Sequence, residues 1–165
     1  MIIYTLLVIS FLLDLFMLSC IGQNSILFPL FLLMSTIIIY PFIKKKEFDK
    51  FLMICSFLGA LYDVIYENTL LLNIGIFLLC ALIIKIIFKS FSYNLISLVI
   101  VSLFTIVFYR TLNYLVLVSA DYVKFSFADL LRGVYSSILA NMIYIITFYL
   151  FGLFYSNKYK IERFS

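Results

Sequence analysis

Long apolar runs dominate this sequence and limit the structures that it can form. Six of them, joined by short polar connections, lie at about residues 1–20, 26–43, 51–67, 69–88, 93–118 and 129–155. A helix needs about 20 apolar residues to cross a hydrocarbon core of roughly 30 Å, so each run is close to the length of a spanning helix. The runs lack the alternation of apolar and polar residues that is typical of barrel strands. The sequence therefore predicts an all-α polytopic membrane protein, with residues 1–165 forming a single bundle of six transmembrane helices.

The residue types that most catalytic and metal sites need are missing or scattered. Histidine is absent, which excludes histidine-based metal sites and the pairing of a serine or cysteine nucleophile with histidine. The three cysteines, Cys20, Cys55 and Cys80, stand far apart and are interpreted as small apolar residues. Neither common glycine-rich phosphate-binding motif occurs. We therefore predict no catalytic residue, no metal site, no cofactor and no enzymatic activity.

The basic residues predict the orientation of the helices. Nine of the 12 lysines and arginines fall at alternate connections, which lie on one side of a six-span protein. They are Lys44, Lys45, Lys46, Lys50, Lys85, Lys89, Lys158, Lys160 and Arg163. Because cytoplasmic loops are enriched in lysine and arginine, this side and both termini are predicted to be cytoplasmic. Topology thus explains the formal net charge of +4, and no nucleic-acid partner is expected.

Four ionisable residues lie within the apolar runs. Under the predicted orientation Asp14, Asp63, Arg110 and Arg132 all fall in the outer half of the membrane. A charge at the centre of a spanning helix costs about 2.5–3.5 kcal/mol on insertion scales, so these positions call for an explanation. One interpretation is an outward-facing polar cavity or a docking surface for a transmembrane segment of a partner. The other is structural, with buried ion pairs or snorkelling side chains that fix the order of the helices.

Small and polar residues form a stripe along two of the predicted helices. In the third run, Ser56, Gly59, Asp63 and Glu67 recur at the spacing of one helix face. The sixth run has a similar stripe of Gly133, Ser137, Ala140, Asn141 and Tyr144. Small residues let helices approach closely in lipid, so both stripes are predicted to be packing seams that face the bundle. Gly59 and Asn141 thereby join the four charged residues as candidate partner-binding or structural residues.

One segment resembles a known family. Residues 57–84, FLGALYDVIYENTLLLNIGIFLLCALII, contain a G-x-x-x-D pattern formed by Gly59 and Asp63, then a short turn and a long apolar run. This arrangement resembles the central signature of the MreD family of bacterial rod-shape-determining membrane proteins. The Thr69–Leu70 turn also matches, whereas Leu71 stands where that family usually has glycine. The length, the six predicted spans and the last apolar run are similar in outline.

The resemblance implies a function in cell shape. A protein of this family would be a non-enzymatic scaffold of the cell-elongation complex in the bacterial cell (cytoplasmic) membrane. Its expected partner is a single-span protein similar to MreC, which would connect it indirectly to cell-wall synthases outside and to MreB inside. Asp63 and the two stripes would then help to shape the partner-binding surface in support of peptidoglycan synthesis.

Two other classes of function stay open. The MreD family is similar in architecture to the substrate-binding subunits of energy-coupling-factor vitamin transporters, whose pocket opens outward. Those subunits commonly carry an Ala-x-x-x-Ala surface on their first helix, and the first run here has no alanine. A membrane enzyme is the third class, with Asp14 and Asp63 as an acid and base pair, but no nucleophile, metal cluster or phosphate-binding loop supports it. The scaffold is therefore the predicted function.

Overall fold

The computed structural model describes residues 2–21, 29–43, 47–67 and 71–159. In sequence order, the α-helices within these ranges are α1 (Ile2–Ile21), α2 (Phe31–Ile39), α3 (Phe48–Tyr62), α4 (Leu72–Ser90), α5 (Leu95–Ser119) and α6 (Phe127–Tyr159). A 3₁₀ turn, Tyr40–Phe42, continues α2, and a π-helical turn, Asp63–Glu67, continues α3. No strand occurs in the described ranges, and the prediction of an all-α protein is confirmed.

Three of the described helices are long and apolar enough to cross a membrane. These segments are Leu72–Ser90, Leu95–Ser119 and Phe127–Leu153, and shorter apolar helices cover Thr5–Met17 and Phe31–Phe42. Many large apolar side chains on the outside of the long helices are exposed, among them Leu79, Ile86, Ile96, Phe104, Leu139 and Ile143. Soluble monomers rarely expose large apolar surfaces, whereas lipid accepts them. The fold therefore has the properties of a membrane protein.

Helix α2 lies at the centre of the bundle. It contacts the other five helices, and all nine of its residues are buried. Its sequence, FLLMSTIII, is apolar on every face except for Ser35 and Thr36, as expected for a helix with no solvent-facing side. Those two hydroxyls donate to the backbone oxygens of Leu32 and Leu33, each at 2.6 Å. The nine residues extend only about 14 Å, roughly half the thickness of a hydrocarbon core.

Within the described residues 29–43, the second apolar run is thus helical over a shorter length than the sequence predicts. Pro29 is expected in the first helical turn, but α2 begins at Phe31 and Pro29 precedes it. Helical structure is also expected to reach Lys44, whereas Ile43 is already extended after the 3₁₀ turn. Pro41 lies in that turn, where its missing N–H removes a hydrogen bond that an α-helix would need.

Antiparallel hairpins surround α2. The α3 and α4 helices pack closely together, α4 packs on α5, and α5 and α6 form a second hairpin. Helix α1 lies mainly against α2. Several positions discussed above lie outside the described residues, namely Lys44, Lys45, Lys46, Thr69, Leu70, Lys160 and Arg163, and so do the side chains of Cys20, Glu67 and Lys158.

Leu71 has a conformation that favours glycine. It precedes α4 with φ 68° and ψ 0°, and 68% of its side chain is exposed. A left-handed conformation costs a non-glycine residue about 1–2 kcal/mol, and little burial offsets this cost here. We expect Leu71→Gly to stabilise the protein by about 1 kcal/mol. This value allows for the greater backbone entropy that glycine loses on folding, which reduces the gain. Thermal unfolding of the purified chain in detergent measures the change.

The control for Leu71 is an exposed leucine within a helix. Leu79 is 46% exposed in the middle of α4, where glycine costs about 1 kcal/mol. Leu79→Gly should therefore lower the unfolding temperature, while Leu71→Gly raises it. A fall with both variants would contradict the left-handed turn at Leu71.

Candidate functional site

Buried polar side chains from five helices are joined by hydrogen bonds within the bundle, and two of them, Asp14 and Asn141, also bond to the backbone at the start of α2. We call this set the polar layer, and its members are Ser10, Asp14, Tyr62, Asp63, Asn73, Tyr109, Arg110, Ser137, Asn141 and Tyr144. All of them are buried except Arg110, which is partly buried. Hydrogen bonds join α1 to α3 and α6, α3 to α4, α4 to α5, and α5 to α6. The layer therefore connects the whole bundle.

Asp14 caps the buried N-terminus of α2. Its two carboxylate oxygens accept hydrogen bonds from the N–H groups of Phe31, at 3.0 Å, and Leu32, at 2.9 Å. The hydroxyl of Tyr62 donates to the same carboxylate at 3.0 Å. Leu30, which precedes the helix, has no side-chain acceptor that could satisfy these amides. A remote carboxylate must therefore supply the acceptor that a capping serine or aspartate usually provides.

Asn141, on α6, completes the cap of α2. Its Oδ1 accepts a hydrogen bond from the N–H of Leu30 at 2.8 Å, and its Nδ2 donates to the backbone oxygen of Ser137 at 2.6 Å. Nearby, Tyr144 and Ser10 hydroxyls lie 2.5 Å apart, and the Ser10 hydroxyl is 2.6 Å from the backbone oxygen of Leu6. Because serine has one proton to donate, Tyr144 donates to Ser10, which donates to Leu6.

The charge of Asp14 is matched by a helix dipole. The sequence raises an ion pair as one explanation for the charged residues, but no basic side chain in the described part of the chain pairs with Asp14. Its carboxylate instead faces the N-terminus of α2, which carries a partial positive charge. Helix α2 therefore supplies the favourable electrostatic environment that a cation would supply in an ion pair.

Asp63 caps the N-terminus of α4 as Asp14 caps that of α2. Its Oδ1 accepts hydrogen bonds from the backbone N–H of Asn73, at 2.9 Å, and from the Asn73 side-chain amide, at 3.2 Å. Its Oδ2 accepts from the N–H of Ile74 at 3.3 Å. Tyr109 on α5 donates to the amide oxygen of Asn73 at 2.6 Å. Asp63 thus joins the end of α3 to the start of α4 and, through Asn73, to α5.

Gly59 lets the backbones of α3 and α4 approach each other. A Cβ atom at this position would lie 2.7 Å from both the backbone oxygen of Asn73 and the Cα of Ile74. Gly59 precedes Asp63 by four residues, so both face α4. The G-x-x-x-D pattern therefore has a clear structural purpose, since the glycine permits the close approach and the aspartate caps the helix that approaches.

The two candidate arginines have different surroundings. The Nε of Arg110 donates to the hydroxyl of Ser137 at 2.7 Å. Arg110 also borders a pocket of about 180 Å³ between α5 and α6, together with Asn113, Tyr114, Leu117, Asp129, Leu130 and Gly133. Arg132 is exposed on α6 and does not join the polar layer. The structure thus brings Asp14, Gly59, Asp63, Arg110 and Asn141 into the bundle interior and leaves Arg132 outside.

The sequence interpretation did not select Tyr62, Tyr109 or Asn73, and it placed Tyr144 only on a packing stripe. Tyrosine is common at membrane interfaces, yet these three tyrosines are buried and donate within the polar layer. Asn73 was detectable, because it is an amide within an apolar run, four residues beyond Thr69. Nothing in the sequence indicates that Tyr62 and Tyr109 face inward.

We expect Asp63→Asn to destabilise the α3–α4 hairpin. The backbone N–H groups of Asn73 and Ile74 and the side-chain amide of Asn73 donate to this carboxylate, whereas an asparagine has one oxygen and turns an NH₂ group toward a donor. The lost bond and the opposed donors should cost about 1–3 kcal/mol. Thermal unfolding in detergent measures this loss of stability. Asp129→Asn, at an exposed position, should change stability by about 0.5 kcal/mol or less, and equal effects would contradict the capping role.

The fold and its polar layer define a class, an all-helical protein with helices that can cross a membrane and an interior held together by hydrogen bonds. Comparisons with protein-family models, curated proteins and solved structures gave no match. No group of three histidine, cysteine, aspartate or glutamate residues in the described ranges could hold a metal ion. Any function must therefore be argued from the sequence resemblance and from the geometry of this chain.

Proposed function

We propose that this chain is a non-enzymatic membrane scaffold of the MreD type, which binds an MreC-like single-span protein in the bacterial cytoplasmic membrane. The observation that supports the proposal is that the residues of the family-like pattern are the ones that hold α3 and α4 together. Gly59 sits at the backbone contact and Asp63 caps α4. The turn before α4 has a glycine-type conformation at Leu71, although the glycine itself is replaced.

The proposed scaffold crosses the membrane six times. Helix α3 has 15 residues and the π-helical turn after it has five, so together they make 20 residues, enough for one crossing. Helix α2 covers about half of the membrane, and its N-terminus lies inside the bundle, where non-helical backbone before it can be satisfied by protein. With the cytoplasmic lysines at the ends of α2, α4 and α6, both termini are cytoplasmic in this proposal.

The geometry of Asp14 favours a scaffold over a transporter. In transporters with broken helices, the N-terminus of a half-helix inside the membrane often points at an anionic group of the substrate. Here Asp14 supplies an anion of the protein itself to the N-terminus of α2. Asn141 accepts from the preceding amide. The polar layer thus uses its acceptors to hold helices together, as expected of a protein whose function is binding at its surface.

The proposal is tested by purifying a tagged chain from its own membranes in mild detergent and identifying its partners by mass spectrometry. We expect an MreC-like single-span protein, accompanied by cell-wall synthases. Recovery of transporter ATPases together with their membrane coupling subunit would overturn the scaffold proposal in favour of vitamin uptake. An unrelated tagged multi-span protein, expressed at the same level, controls for non-specific capture.

A matched pair of variants connects this test to the hairpin. Gly59→Ala places a Cβ against the backbone of α4, whereas a Cβ at Gly75 meets nothing within 4 Å. If the hairpin shapes the partner-binding surface, partner recovery per inserted chain should fall for Gly59→Ala and stay unchanged for Gly75→Ala. Unchanged recovery with both variants would show that the partner binds elsewhere.

A further inference from the structure

Two lysines at the C-terminal end of α4 form a pair of like charges. Lys85 and Lys89 are four positions apart, so they share one face of the helix, and both are exposed. In the described part of the chain neither lysine has a carboxylate within ion-pair distance, and the ion pair between Lys50 and Glu47, at 3.3 Å, involves neither of them. Like charges at this spacing oppose helix formation. The two lysines therefore have no counter-charge among the described residues.

Lys85 contacts α3 at the open end of the α3–α4 hairpin, away from the turn that connects the two helices. Its ammonium lies 3.8 Å from the centre of the Phe48 ring, in the first turn of α3. This cation–π contact uses one side of the ammonium and leaves N–H donors for another acceptor. Lys50 lies two residues beyond Phe48, at the same end of the hairpin. A lysine in the last turn, such as Lys89, also favours the helix dipole, but Lys85 lies too early for that explanation.

The same end of the bundle has the composition of a membrane interface. Aromatic rings from several elements contact one another here, with centroid distances between 5.2 and 6.5 Å. They belong to Tyr40, Phe42, Phe48, Phe51, Phe88, Tyr93 and Tyr149. Tyrosines are enriched at the level of the lipid headgroups. Lys85 and Lys89 therefore lie where the most abundant anions are phospholipid phosphates.

We propose that Lys85 and Lys89 bind the phosphate of an anionic phospholipid in the cytoplasmic leaflet. A phosphate between the two ammonium groups relieves their repulsion and accepts charge-assisted hydrogen bonds from both. A zwitterionic headgroup fits less well, because it carries its own ammonium group. The proposal rests on the membrane location and orientation given above and not on the elongation complex, so partner capture can fail while lipid binding is retained.

The test is a titration of phosphatidylglycerol into the purified full chain in detergent, with the unfolding temperature as the readout. Phosphatidylglycerol should stabilise the protein at lower concentration than phosphatidylcholine. The variants Lys85→Gln and Lys89→Gln should each raise the half-saturating concentration of phosphatidylglycerol about fivefold. Lys85→Arg should bind as the wild type does. Lys124→Gln, in the connection between α5 and α6, is the matched control and should leave lipid binding unchanged.

Three results would overturn the proposal. Equal stabilisation by phosphatidylcholine would remove the role of headgroup charge. An equal loss with Lys124→Gln would mean that any surface lysine suffices. The same stabilisation by free glycerol 3-phosphate in phosphatidylcholine would indicate a soluble anion in place of a lipid. Because Lys85 and Lys89 are exposed, both single variants should fold, and each gives an independent measurement.

Discussion

Gly59→Ala should destabilise this protein by about 3 kcal/mol, at the upper end of the range for overpacked cores. The added methyl group would lie 2.7 Å from the backbone oxygen of Asn73 and 2.8 Å from the backbone nitrogen of Ile74. Backbone atoms cannot rotate away as a flexible side chain can, so α3 and α4 would have to separate. That separation would also lengthen the hydrogen bonds from α4 to Asp63. Thermal unfolding and the yield of monodisperse protein in detergent measure the loss.

The chain offers matched glycine controls for this substitution. A Cβ atom at Gly75 or Gly133 meets nothing within 4 Å, and both positions are helical. Gly75→Ala and Gly133→Ala should therefore be neutral or stabilise the protein by up to about 1 kcal/mol through helix propensity. Equal tolerance at Gly59 and Gly75 would contradict the close approach of α3 and α4, and the structural account of the G-x-x-x-D pattern with it.

Much of the architecture was predictable from hydropathy alone. Apolar runs of helical length predicted each of the six described helices, and the observed ends of α1, α4, α5 and α6 fall within a few residues of the runs. The short α2 helix was not predictable, because hydropathy counts apolar residues and does not detect where backbone amides find acceptors. Its N-terminus is set by Asp14 and Asn141, which are distant in the sequence.

The candidate site was predictable in some of its members and not in the groups that they bond to. Asp14, Asp63 and Asn141 were selected because a charge or an amide in an apolar run is expensive, and each is buried. The sequence suggested that the acids and bases face each other. In the structure Asp14 and Asp63 accept from the backbone N–H groups of α2 and α4, and Arg132 is exposed. Backbone amides are the same at every residue, so a sequence pattern cannot reveal them as partners.

These two caps share a physical cause. Both α2 and α4 follow a leucine, Leu30 or Leu71, that cannot accept a hydrogen bond through its side chain. In water the exposed N–H groups of the first turn would bond to solvent, but inside a bundle they need acceptors from the protein. A carboxylate on a neighbouring helix meets that need and fixes the packing of the two helices. The two buried aspartates are thereby explained before any partner is considered.

Removing the Asp14 carboxylate should have the other large effect. Asp14→Leu leaves the N–H groups of Phe31 and Leu32 without the carboxylate that accepts from them, and it removes the bond from the Tyr62 hydroxyl. Each buried unsatisfied group costs about 1–3 kcal/mol, so the variant should lose about 3 kcal/mol or more. Asp14→Asn keeps one acceptor oxygen and should lose less. Because α2 contacts every other helix, the loss should lower the unfolding temperature of the whole bundle.

Hydrogen exchange can locate the effect of Asp14. In the wild type the amides of Phe31 and Leu32 are buried and bonded, so they should exchange slowly, and in Asp14→Leu they should exchange faster than the amides of α5. A double-mutant cycle of Asp14→Asn with Tyr62→Phe separates the hydroxyl bond from the two amide bonds. Unchanged protection at Phe31 and Leu32 in Asp14→Leu would mean that α2 does not need this cap, and Asp14 would then be a stronger candidate for contact with a partner.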